Sequence, residues 1–115
     1  MTCLIIINEP PAAERTYNAL RLATALTADT ETEVRLFFIG DGVAAAASGQ
    51  PEPANGHNTE WMLQRFLAGH RKAGVCRTCM EARGITDDQL IPGTHKSNIE
   101  ELSRWTRESG RVLVF

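Results

Sequence analysis

Leu4-Ile5-Ile6-Ile7-Asn8-Glu9-Pro10-Pro11 opens with four apolar residues in succession and stops at a polar turn carrying two prolines. A strand with one wet face alternates apolar and polar residues. An unbroken apolar run this short reads instead as a strand buried on both faces, the habit of a central parallel strand covered by helices. The segments around it are consistent with that reading. Ala19, Leu22, Ala23 and Leu26 recur at helical spacing, with Arg15, Asn18 and Arg21 on the other side, which predicts a helix over residues 13–28. Residues 34–39 form a second apolar run broken only by Arg35. It ends at Gly40-Asp41-Gly42, and the small residues 43–47 predict a short helix.

Residues 48–58, with two prolines, two glycines and no periodicity, form a surface loop. Leu63, Phe66 and Leu67 predict the next amphipathic helix, entered through Asn58 or Thr59 as cap. Residues 71–75 contain Gly74 and two cations, so propensity argues against a strand there. The alternation of elements on either side nevertheless places one. Thr86 with Gln89, and Ser97 with Glu100, have the spacing of capping boxes. The second leads into a helix bearing Ile99, Leu102 and Trp105 and ending at Gly110. Residues 112–115 read as a last apolar strand. Strands alternating with helices at this interval need crossover connections, which gives an α/β fold with helices on both faces of a mostly parallel sheet, expected as a single domain over residues 1–115. Ligands of such sheets bind beyond the carboxyl ends of the strands, where the turns at Asn8, Asp41 and Cys76 emerge.

Composition narrows the function classes. With 43% hydrophobic and 23% charged residues the chain has the makeup of an ordinary globular protein. A formal charge of -2 and few aromatics supply neither the basic field nor the stacking platforms of a nucleic-acid binder. The longest apolar stretches, such as residues 3–7 and 34–40, are far too short to span a bilayer, and no export signal is visible. Three cysteines, an odd count, suit free thiols in a reducing cytoplasm better than a disulfide framework.

The stretch Val75-Cys76-Arg77-Thr78-Cys79-Met80-Glu81-Ala82-Arg83-Gly84-Ile85 concentrates the chemistry. Cys76 follows a strand and Cys79 falls one helical turn later, so both thiols would share the first turn of a helix. The partial positive charge of that turn favours thiolate, the nucleophilic form. Arg71, Lys72, Arg77 and Arg83 would add Coulomb attraction. Two small buried hydrophobes is the competing reading, since free cysteine commonly packs that way. A dithiol redox pair is the chemical rival. A structural zinc site needs about four ligands; His57, His70 and His95 have no recognised ligand spacing to the pair, so no metal is expected. Gly40-Asp41-Gly42 with Ala45 loosely fits a dinucleotide fingerprint, but it follows the second strand and precedes a very short helix. A tight turn with Asp41 as helix cap explains the same residues, and no cofactor is expected. Cys3 reads as core, and Trp61 and Trp105 as packing or subunit-contact residues.

Four blocks taken together resemble the DsrE/DsrF/TusD sulfur-relay family, in its small single-domain, YchN-like group. They are residues 4–11, Arg15-Thr16-Tyr17-Asn18-Ala19-Leu20-Arg21-Leu22-Ala23, Phe38-Ile39-Gly40-Asp41-Gly42-Val43, and the stretch from Cys76 to Ile85. The resemblance implies a flavodoxin-like, five-stranded α/β fold assembled into homo-oligomers, trimers or hexamers. It also implies a cysteine that carries sulfane sulfur as a persulfide between donor and acceptor proteins. Register against the Arg-Gly-hydrophobic step matches Cys76 to the relay cysteine. Cys79 lacks a counterpart in some members, and the resemblance leaves it two roles, resolving the persulfide as a Cys76–Cys79 disulfide or merely occupying the first helical turn; the family also contains subunits that shape an oligomer without carrying sulfur. Gly74 and the run of alanines 44–47 depart from the family pattern.

Overall fold

The computed structural model describes all 115 residues, Met1–Phe115. Strands β1 (Thr2–Ile7), β2 (Glu33–Phe38), β3 (Lys72–Cys76), β4 (His95–Ser97) and β5 (Arg111–Val114) form one sheet in the order β4-β3-β2-β1-β5, every neighbouring pair parallel. Helices α1 (Glu14–Leu26), α2 (Thr59–Leu67), α3 (Arg77–Ala82) and α4 (Ile99–Glu108) connect them, with 3-10 segments at Gly40–Ala46 and Asp87–Gln89. No helix is long and apolar enough to cross a membrane.

The steps from β1 to β4 move one way across the sheet and the last step, to β5, returns. Because parallel crossovers are right-handed, the connections holding α1, α2 and α3 lie on one face and α4 lies on the other. Strand register divides the core accordingly. Arg35 and Phe37 of β2 meet Trp105 of α4, the guanidinium 5.3 Å from the ring centroid and the two rings edge to face at 6.2 Å. Val34, Leu36 and Phe38 alternate to the opposite face, and all five are buried. The buried Arg35 is tolerated because Glu33 (3.0 Å) and Glu108 (3.4 Å) pair with it. Partial burial pushes the Glu33 carboxyl up, but Arg35 and Lys72 outweigh that and hold it below the usual carboxylate range.

Several local expectations change. β4, only three residues long, is too short to leave a pattern in the sequence. Ser97 belongs to it and is not the cap of α4: Asn98 is, its side chain accepting from the Glu101 amide at 2.8 Å, while the Ser97 hydroxyl donates to the Glu101 carboxylate. Asp41 does not cap the following segment; Ile39 is its N-cap, and Asp41 pairs with Arg83 at 2.8 Å. α4 ends at Glu108, and Gly110 donates its amide to the Thr2 carbonyl instead of closing the helix. Asn58 does cap α2, through the Trp61 amide, and Thr86 with Gln89 forms the expected box on a 3-10 turn.

Two glycines have steric reasons. A Cβ on Gly42 would lie 2.0 Å from the Ile7 carbonyl oxygen, so the 3-10 segment can press onto the end of β1 only with glycine there. A Cβ on Gly74 would come within 3.0 Å of the Phe37 ring and 3.2 Å of Ser97 Cβ. The residue that weakens β3 as a strand former is the one that makes room for Phe37.

Candidate functional site at the end of β3

β3 ends at Cys76, whose extended backbone (φ −62°, ψ 117°) makes it the N-cap of α3. In register with β2, Lys72 pairs with Arg35 and Gly74 with Phe37, so this alternation sends Cys76 to the α4 side of the sheet. The residue is 5% exposed. Its side chain forms part of a cleft of about 170 Å³ walled by Arg77 and Thr78 and, across from them, by Asn98, Ile99 and Glu100 at the start of α4. The residue is therefore sheltered by protein yet borders an opening.

Burial by itself pushes the Cys76 thiol up. The Thr78 hydroxyl, 3.3 Å from Sγ, opposes it, joined by the Cys79 amide and thiol and the Thr78 amide, and together they bring the thiol below its ordinary value. The two amides face the sulfur without closing a full capping hydrogen bond. The cations expected to help are engaged elsewhere. Arg77 pairs with Glu81, Lys72 with Glu33, and Arg83 with Asp41, while Arg71 donates to the Phe66 carbonyl. With α3 only six residues long, short-range hydrogen bonds, not a helix dipole or a basic field, favour the thiolate. Thr78 is exposed and its hydroxyl is the nearest side-chain donor, so Thr78→Val is expected to move the pH midpoint of Cys76 alkylation upward and leave thermal stability almost unchanged. Rates of iodoacetamide labelling across pH test this, and coincident profiles for the two proteins would contradict it.

Cys79 is half-buried, and its Sγ accepts from the Gly40 amide at 3.3 Å. The sequence-derived pair is thus brought together on one turn. Cys3 lies in the core, as expected, with its thiol raised by burial. The histidines are dispersed: His57 stacks on Tyr17, His95 pairs with Glu101, and His70 adopts φ +57° after α2. No group of three or more potential metal ligands forms. Trp105 is buried and Trp61 is 53% exposed beneath Arg65. Sequence reasoning passed over Thr78 and the Asn98–Glu100 wall. Thr78 could have been noticed as the hydroxyl two residues into a helix headed by cysteine; the wall had no local signal, because it comes from a different crossover.

A five-stranded parallel sheet between helix layers, with a sheltered cysteine heading the helix after β3, defines a small α/β protein. The chain belongs to the DsrE/DsrF-like family, which it matches over residues 1–115. It is 36% identical to the YchN protein of Escherichia coli K12 over 114 residues, 97% of each chain, and 32% identical over 112 residues to a protein of Methanopyrus kandleri, covering 96% of this chain and 91% of that one. The crystal structure of E. coli YchN superposes with a TM-score of 0.86 at 34% identity over the full length of both chains. A Methanobacterium thermoautotrophicum protein of unknown function, MTH1491, shares the fold with a TM-score of 0.71 at 12% identity, covering 99% of this chain and 98% of that one.

Proposed function

We propose that this protein is a sulfur carrier: Cys76 takes sulfane sulfur from a donor persulfide and passes it to an acceptor thiol. The supporting observation is a thiol eased toward ionisation by Thr78 and Cys79 while sheltered in a narrow cleft. In the first transfer the Cys76 thiolate attacks the outer sulfur of the donor, a new S–S bond forms, and the donor cysteine leaves as thiolate. In the second, an acceptor thiolate attacks the outer sulfur of Cys76-S-SH and Cys76 departs as thiolate. Each step only exchanges one S–S bond for another, so neither metal nor cofactor takes part. The 115 residues act as one DsrE-like domain in the cytoplasm, with donor and acceptor proteins as partners.

Self-association into trimers or hexamers fits the same reading. Val112 and Val114 of the edge strand β5 are in register with Leu4 and Ile6, and they remain 38% and 65% exposed; Ile99 beside the cleft is 57% exposed. Apolar side chains on an unpaired strand edge are otherwise a liability.

Mass spectrometry after exposure to a persulfide donor tests the carrier role. At early times the wild type gains one sulfur atom on the peptide containing Cys76, and Cys76→Ser gains none. Equal uptake by both proteins, or uptake by neither, removes the proposal and leaves a dithiol redox protein or an assembly subunit.

A further inference from the structure

The second cysteine is held in place by two hydrogen bonds that sulfur carriage alone does not require, and one of their donors is itself anchored. The Gly40 amide, on backbone at φ +58°, donates to Cys79 Sγ at 3.3 Å. Arg83 donates to the Cys79 carbonyl at 3.1 Å and, through its other terminal nitrogen, to the Asp41 carboxylate at 2.8 Å. Residues 40 and 41 thus clamp α3 against the 3-10 segment from two directions and hold Cys79 one turn from Cys76. The Cys79 thiol lies close enough to the Cys76 sulfur to help lower its pKa, and a disulfide needs Cβ atoms about 3.5–4.5 Å apart, so closing one takes a local backbone shift at the start of α3. The Gly40 N–H also fixes the orientation of the sulfur.

We infer that Cys79 is a resolving thiol, which closes a disulfide with a sulfur-loaded Cys76 and expels the carried sulfur as hydrosulfide. The inference rests on the carrier reading. Cys79 loses its proton to solvent, and its thiolate attacks the inner sulfur of Cys76-S-SH. The Cys76–Cys79 bond forms as the persulfide S–S bond breaks, and HS⁻ leaves with the electron pair. The sulfane sulfur is reduced by two electrons and the two cysteines are oxidised by two. A dithiol or two monothiols of the glutathione class then reduce the disulfide and regenerate both cysteines. Sulfur not collected by an acceptor is thereby discharged as sulfide, and the narrow cleft gives an acceptor protein the chance to react first.

The test loads the protein with inorganic polysulfide, removes the excess, and follows free sulfide and protein mass with no acceptor present. The wild type is expected to release one sulfide per chain while its mass falls from persulfide to disulfide. Cys79→Ser and Cys79→Ala, which lose the thiol that helps ionise Cys76, are expected to load more slowly but still to one sulfur per chain, hold the persulfide and release none. Asp41→Asn, which loosens the Arg83 clamp, is expected to slow sulfide release by about two- to fivefold, the scale of a partly exposed ion pair, with loading unchanged. A wild-type persulfide that persists as long as that of Cys79→Ser overturns this inference alone. Failure of all the proteins to load overturns the carrier reading and this inference with it.

Discussion

Gly42→Ala is expected to lower the melting temperature by about 10 °C or more, a large effect for one added methyl group. The new Cβ would lie 2.0 Å from the Ile7 carbonyl oxygen and 2.8 Å from its carbon, both backbone atoms that no rotamer change can move aside. Either β1 shifts at its last residue, where it pairs with Phe38 of β2, or the 3-10 segment lifts away. Overpacking against flexible side chains costs about 1–3 kcal/mol, and overpacking against backbone belongs at or beyond the top of that range. Lifting the segment would also withdraw Gly40 from Cys79. Gly49→Ala is the matching control: its φ of +79° brings strain, but nothing lies within 4 Å of the added carbon, so it should lose only about 1–2 kcal/mol. Thermal unfolding of both variants decides the point, and a Gly42→Ala protein no less stable than Gly49→Ala would contradict the close approach.

The second large effect lies beneath the cysteine-bearing strand. Phe37 is fully buried between β3 and α4, edge-on to Trp105 and against Gly74, so Phe37→Ala should cost about 3–5 kcal/mol. The cavity would open beside the residues that position Ser97 and the start of α4, so the Cys76 cleft should widen as stability falls. Gly74 supplies an internal check. In the wild type, Gly74→Ala adds a carbon 3.0 Å from the Phe37 ring and 3.2 Å from Ser97 Cβ and should destabilise. In a Phe37→Leu background the same change should cost less, because the ring edge it meets is gone. A double-mutant cycle by urea unfolding measures the coupling, and additive costs would mean that Gly74 is not there to accommodate Phe37.

Much of the architecture was legible because it depends on composition over short windows. The run Leu4 to Ile7 announces a doubly covered strand, since both faces must be apolar, and Leu63, Phe66 and Leu67 announce a helix by spacing alone. Cys76 and Cys79 stood out for the same reason: a strand exit followed by one helical turn is a local arrangement. β4 was not legible, because three residues carry no period and His95–Ser97 is a strand only through pairing with Gly74, Val75 and Cys76. The cap of α4 shifted from Ser97 to Asn98 as a consequence. Asp41 misled for a related reason. Its carboxylate satisfies a distant Arg83 in preference to a neighbouring amide, a choice made by how α3 packs.

The amino-acid order alone settled most of the helices and strands, β4 excepted, that they alternate into a parallel α/β sheet, and that one cysteine pair sits at a strand's carboxyl end, because each of these follows from near-neighbour patterning. Tertiary structure alone decided what surrounds the sulfur. The charges expected near Cys76 were drawn to carboxylates and a carbonyl elsewhere, and their place was taken by Thr78, by Cys79 tethered to Gly40, and by a wall from α4. Hydrogen bonds act only across the few ångströms that folding closes, and that distance is not written in sequence separation.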